Sequence, residues 1–177
     1  MEIPTEKISV IELGKVVVSK LLETGGKQLN DGIVNEVRRC YNLHIGNRTA
    51  RRLKFSLAYL KEDPMEARKI IGVDSLSGLP REQVVPSDLI YETIKGPIRN
   101  ICDEILFFLE RIPPQIRNSI EEQGIFVAGG TSRIPGMEWF LRQETGKKIR
   151  VSDYYEFCTV EGLKEIMGNR TLQKWVR

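Results

Sequence analysis

The chain has 177 residues, 41% hydrophobic and 29% charged, with a net charge of +3 at neutral pH. These ordinary globular values exclude a disordered or collagen-like chain, and the length predicts one domain with room for a small subdomain. Acidic and basic residues are interleaved, so the charge marks no nucleic-acid surface, and no nucleic-acid partner is expected.

Cys40, Cys102 and Cys158 lie far apart and His44 is the single histidine, so neither a CxxC pair nor a four-ligand zinc site can be assembled from short spacings. Free thiols in a reducing compartment are expected, with Cys40 and Cys102 buried. The opening MEIPTEKISVIELG lacks the basic-then-apolar order of a signal peptide. No stretch approaches the roughly 18–20 apolar residues that span a bilayer, so a cytoplasmic protein is expected.

Residues 8–13 and 15–22 are rich in β-branched side chains and flank Gly14, which predicts a hairpin. Thr24-Gly25-Gly26 ends it. Leu29, Ile33, Val34, Val37 and Tyr41 recur at helical spacing, predicting a helix over 28–42. A second helix is expected over 48–60, with Ala50, Leu53, Leu57 and Leu60 inward and a basic face of Arg51, Arg52 and Lys54 outward, stopped by Asp63-Pro64. Short strands are expected at 66–73 and 81–86.

A long helix should then run from Ser87, as N-cap, to Glu110. Its apolar face carries Ile90, Ile94, Ile98, Ile101, Ile105, Phe108 and Leu109; Gly96-Pro97 marks a candidate kink and Pro113-Pro114 a stop. A short helix over 115–121 precedes Gly124-IFVA-Gly129, which reads as a buried parallel strand. A helix over 136–145, a strand over 148–151 and a helix over 159–167 come next, with a loosely held tail. The pattern is α/β, with residues 1–45 and 87–177 forming one α/β subdomain and residues 46–86 a small α+β insert.

Three motifs bear on chemistry. Val127-Ala128-Gly129-Gly130-Thr131 places glycines at the end of a parallel strand, the edge where α/β sheets bind ligands, and a following helix N-terminus would add free N–H groups. The same residues also suit a tight strand-to-helix turn. Thr24-Gly25-Gly26 before a helix has the same two readings. GNRTARRLK (46–54) is either a solvated basic face or a phosphate or ribose contact. Neither His44 nor the pairs Asp103-Glu104 and Glu121-Glu122 has an evident catalytic partner, and no GxSxG, HExxH or GxxxxGK[ST] motif occurs.

In order along the chain, ISVIELGKVVVSK, TGG, LNDGIVNEVRRCYNLHIGNRTARRLK, GVDSLSGLP, ERIPPQI and GIFVAGGTSRIPGMEWFLRQETGKKIRVSD resemble the second half of the bacterial rod shape-determining MreB family, over about 5–153. The resemblance implies an actin-like ATPase fold, built of ribonuclease-H-like domains around an ATP cleft, and membrane-associated filaments that direct cell-wall synthesis. It implies nucleotide contacts at Gly25, Gly26, Lys54, Gly129, Gly130 and Thr131, with ATP and Mg²⁺ as the family's ligands. Family subunits and cell-wall-synthesis proteins would be partners, and membrane contact would come only through the first half of the family's fold.

Departures from the family pattern fall on the phosphate side. Glu2-Ile3-Pro4-Thr5-Glu6-Lys7 stands where a glycine-rich phosphate loop is usual, and the strand leading into that loop is not among the 177 residues. Lys27 replaces an acidic residue and Arg51 a glutamate near the nucleoside, and the resemblance fades after Val151. ATP binding by this chain alone is therefore expected to be weak or absent, and hydrolysis improbable. The principal reading is a cell-shape cytoskeletal protein. A non-cycling paralogue that binds filament or wall-synthesis partners and a nucleotide-dependent enzyme of the same superfold, such as a sugar kinase, are the alternatives.

Overall fold

The computed structural model describes residues 6–12, 14–61 and 65–173. The expected stop at Asp63-Pro64, residues 2–5 of the altered loop and residues 174–177 of the tail lie outside them. Strands β1 (Glu6–Glu12) and β2 (Lys15–Leu22) form the expected antiparallel hairpin, Gly14 turning with φ +76°. Helix α1 (Gly26–Tyr41) starts two residues earlier than the sequence predicts. It ends at Asn42 in the left-handed region, whose N–H donates to Arg38 O at 2.9 Å.

A two-residue strand, β3 (Leu43–His44), has no counterpart among the expected elements because two residues carry no periodicity. It pairs antiparallel with β4 (Ala67–Asp74), which pairs with β5 (Pro80–Pro86), so the chain entering helix α2 (Asn47–Leu57) already belongs to the second sheet. Helix α3 (Ser87–Glu110) runs unbroken through Pro97. Ser87 is its first helical residue rather than its N-cap. Pro86 holds the cap position, and Ser87 is buried with its N–H donating to Glu66 O at 2.8 Å.

Helix α4 (Pro114–Gln123) leads into β6 (Ile125–Val127), and α5 (Met137–Thr145) into β7 (Ile149–Val151), which pairs parallel with β6. The expected buried strand is thus shorter and not fully buried: Phe126, on the face opposite the half-buried Ile125 and Val127, is 70% exposed. Helices α6 (Cys158–Gly168) and α7 (Arg170–Gln173) close the described chain. No helix among the described residues is long and apolar enough to cross a membrane.

Helix α3 organises the core. Its first half presents Ile90, Ile94 and Ile98 to Leu29, Ile33 and Val37 of α1 and to Leu53 and Leu57 of α2. Its second half presents Ile101, Ile105, Phe108 and Leu109 to Val10 and Leu22 of the hairpin. Each such side chain contributes about 1.5–3 kcal/mol on burial. Two cysteine expectations part here. Cys102 is buried on α3, and burial pushes its thiol up to about 12, so it stays protonated and inert. Cys40 is exposed, because it sits beyond the Leu29–Ile33–Val37 stripe in the last turn of α1.

Ile94 is fully buried where α1 and α3 meet. Ile94→Ala is expected to lower unfolding free energy by about 2–5 kcal/mol in urea denaturation. Leu76→Ala, at a side chain 86% exposed, should change it by less than about 0.5 kcal/mol.

Candidate functional site

The hairpin hands over to α1 through Gly25, which is extended, and Gly26, the first helical residue. Gln28 secures this corner: its Oε1 accepts the Gly25 N–H at 3.0 Å and its amide nitrogen donates to Glu23 O. A side chain at Gly26 has no room, since a Cβ there would stand 2.9 Å from Thr131 Oγ1 and 3.6 Å from Lys54 Nζ. Three predicted residues from three distant segments therefore meet at one point.

Lys54 is not on a solvated face. It is 3% exposed, and its Nζ donates to Gly26 O at 3.0 Å. The helix period explains the error. Lys54 lies four residues after Ala50 and three before Leu57, both fully buried, so it shares their face of α2 while Arg51 and Arg52 point outward. Burial, and then the Arg51 charge, lower the Lys54 ammonium to about 8, with Glu6 opposing the shift.

After β6, Gly129 turns with φ +105°, a conformation that side-chain-bearing residues rarely adopt, and the space where its Cβ would stand is open. Its N–H donates to Tyr155 O at 3.1 Å, and its carbonyl accepts the Ser132 hydroxyl at 2.7 Å. The chain then makes a single 3₁₀ turn, Gly130–Arg133, and α5 begins only at Met137. The helix expected over 136–145 is thus found at Met137–Thr145, with Ile134-Pro135-Gly136 separating its N-terminus from the 3₁₀ turn that follows the glycines.

The charged groups around these glycines are partly paired with one another. The Glu6 carboxylate hydrogen-bonds the Thr131 side chain and lies in the field of Lys54, yet its pKa is raised because burial outweighs both. Arg133 pairs with Glu156 at 3.0 Å. A backbone N–H bond, aided by Arg133, holds the Glu156 carboxyl below its usual range. Phe55 lies between the cations, its ring centroid 5.2 Å from Lys54 Nζ and 5.8 and 5.6 Å from the Arg51 and Arg133 guanidinium carbons.

Gly25, Gly26, Lys54, Gly129, Gly130 and Thr131 all line one cleft of about 1330 Å³. At this end the cleft offers a cationic rim, an aromatic ring and a glycine with open space before it. That set suits the base and sugar of a nucleotide, with Lys54 and Arg51 as donors to oxygen. It suits the phosphates poorly, because the carboxylate of Glu6 already lies beside Lys54 and Thr131. Sequence reasoning missed Glu6, Phe55, Arg133 and Glu156. Only the GNRTARRLK stretch next to Phe55 carried a signal that could have found one of them.

A family model described as MreB/Mbl protein matches residues 3–174. Cell shape-determining protein MreB of Escherichia coli K12 is 31% identical over 160 residues, covering 89% of this chain and 46% of that protein. Cell shape-determining protein Mbl of Bacillus subtilis 168 is 30% identical over 166 residues, covering 93% and 50%. Among solved structures, MreB5 of Spiroplasma citri bound to AMPPNP superposes with a TM-score of 0.89 at 28% identity, covering 98% of this chain and 52% of that one. The MamK double helical filament gives 0.74 at 17% identity, a likeness of fold. The chain spans about half the length of the curated relatives it matches. The likeness also continues past Val151, beyond the point where the motifs fade. With the actin-like fold of its neighbours and a family match along nearly all its length, the chain belongs to the MreB/Mbl family.

Proposed function

We propose that this chain is an actin-like cytoskeletal component that acts in bacterial cell-shape control by associating with family subunits. The observation that carries this reading is the match over residues 3–174 to a family whose curated members are cell shape-determining proteins. A sugar kinase of the same superfold gains nothing from that match. Cell-wall-synthesis proteins as further partners, and membrane association through those partners, belong to the same proposal. So does the division into an α/β subdomain and the 46–86 insert. The β4–β5 hairpin, which lies wholly within 46–86, supports that division.

Within this reading, Gly25, Gly26, Lys54, Gly129, Gly130 and Thr131 form the adenosine side of a nucleotide site. MreB5 of Spiroplasma citri has been solved with AMPPNP and with ADP. ATP with Mg²⁺ would supply the hydrolysable phosphoanhydride. The residues of this chain do the holding: Lys54 and Arg51 donate toward ribose or phosphate oxygen, Gly129 leaves its backbone open to close approach, and Phe55 offers a ring face. Glu6 favours the non-cycling variant of the proposal, because a carboxylate beside Lys54 repels phosphate and offsets the cation.

Three outcomes test this. In calorimetry, AMPPNP with Mg²⁺ is expected to bind the 177-residue chain with a Kd weaker than about 1 mM, under about 4 kcal/mol; micromolar binding would overturn the non-cycling variant. Mixed with Escherichia coli MreB and ATP, the chain should co-sediment with filaments, and with ATP alone it should stay in the supernatant. A chain that never pellets with the relative would overturn the association.

The third outcome is a pH dependence. Lys54 has an ordinary value of 10.5 and a folded value of about 8, so between those pH values the unfolded chain binds more protons than the folded one. Stability conferred at this site therefore rises with pH across that window and is lowest below it. Urea denaturation should show the rise in the wild type relative to Lys54→Met, and one lysine should titrate near 8 by NMR and vanish in that variant.

A further inference from the structure

One wall of the cleft carries more positive charge than the neighbouring carboxylates answer. Helices α1 and α2 contribute Lys27, Asn30, Asn47, Arg51 and Lys54 to it, three cations and no acid. Lys54 is engaged by Gly26 O and lies in the field of Glu6. Lys27 and Arg51 are exposed, and neither forms an ion pair among the described residues.

Arg51 differs from Lys54 in its surroundings. It lies three residues earlier on α2, about 4.5 Å along the helix axis, and its guanidinium carbon stands 5.8 Å from the Phe55 ring centroid. The described carboxyl that Arg51 helps to ionise is Glu156, and that group is already paired with Arg133 at 3.0 Å. Glu6 is held instead by Thr131 and Lys54. A phosphate beside Thr131 therefore meets the Glu6 carboxylate, whereas a phosphate beside Arg51 meets a cation with no carboxylate of its own.

A second group on this wall lacks a partner. Asn30 stands one turn after Gly26 on α1 and lines the cleft. Its Oδ1 is buried and accepts no hydrogen bond from the described residues. A hydroxyl or amino group entering the cleft would satisfy that oxygen; a phosphate dianion, which only accepts, would not.

We propose that the cleft binds a nucleoside phosphorylated on a ring hydroxyl of its ribose, with Arg51 holding that phosphate. The proposal rests on reading the cleft as a nucleotide site and names the class of nucleotide that the site takes. The base packs against Phe55, and Asn30 Oδ1 accepts from the base amine or the remaining ribose hydroxyl. The planar guanidinium of Arg51 takes two phosphate oxygens, as an arginine accommodates the 2′-phosphate of a dinucleotide in other folds. Lys27 adds attraction at the mouth, and the open space before Gly129 leaves room for close approach. A phosphate on the 5′ carbon gains less if it is led to the Glu6 end.

Calorimetry on the full 177-residue chain compares the 2′-, 3′- and 5′-monophosphates of adenosine, adenosine itself and inorganic phosphate. The 2′- or the 3′-monophosphate is expected to bind about tenfold or more tighter than the other probes, the margin of one charge-assisted bidentate contact. Arg51→Glu, at an exposed position, should lower that preference over the 5′-monophosphate by about tenfold or more, with little change in the urea midpoint. The Asn30 side-chain amide should shift in NMR spectra with adenosine and with the preferred monophosphate, but not with inorganic phosphate. Adenosine binding without preference among the monophosphates would overturn the assignment and leave the nucleotide reading standing. A preference that survives Arg51→Glu, or inorganic phosphate that competes as well as the preferred monophosphate, would also overturn it. Failure of every nucleoside to bind would remove the nucleotide reading together with this one, while co-sedimentation tests the cytoskeletal role independently of both.

Discussion

The apolar stripe of α3 is the constraint on which the rest of the structure depends. Seven side chains from Ile90 to Leu109 recur at helical spacing and are all buried, but they serve two different partners. The first three turns seat α1 and α2, which carry Gly26 and Lys54 to their meeting point. The last three seat the hairpin and set the position of Glu6. A helix of 24 residues is about 36 Å long, long enough to hold both ends of one cleft in fixed relation.

The site shows how burial and charge oppose one another. Lys54 is driven inward by the helix period and retains a hydrogen bond to Gly26 O, yet burial costs it much of its affinity for a proton. Glu6 suffers the same penalty in the opposite sense. The buried Lys54 and the half-buried Glu6 carry opposite charges that partly compensate each other, which lets both remain in the cleft. It also leaves that end of the cleft less attractive to phosphate than a lone lysine would be.

Much of the fold was legible in the sequence because the signals were strong and local. The paired β-branched runs around Gly14, the α3 stripe and the Pro113-Pro114 stop each specify local structure with few alternatives. Boundaries were less legible. α1 begins at Gly26 because Gln28 reaches back to the Gly25 N–H, and Ser87 lies inside α3 because Pro86 and the Glu66 carbonyl define that corner. The brevity of β6 and the exposure of Phe126 had no local signature at all, since they depend on which strand pairs with β6 and what packs on each of its faces.

The sequence by itself pointed to the family, to the order of elements apart from the short β3 and α7, and to six residues that line one cleft, because glycine pairs and a nine-residue basic stretch survive in recognisable order. Only the tertiary structure decided that Lys54 is buried, that Cys40 is exposed and that Glu6 stands against Thr131. It also decided that a single 3₁₀ turn, and not an α-helix, follows Gly129 directly. The physical reason is the same in each case: burial and strand pairing are set by the groups that pack opposite a residue, and those neighbours come from segments dozens of residues away.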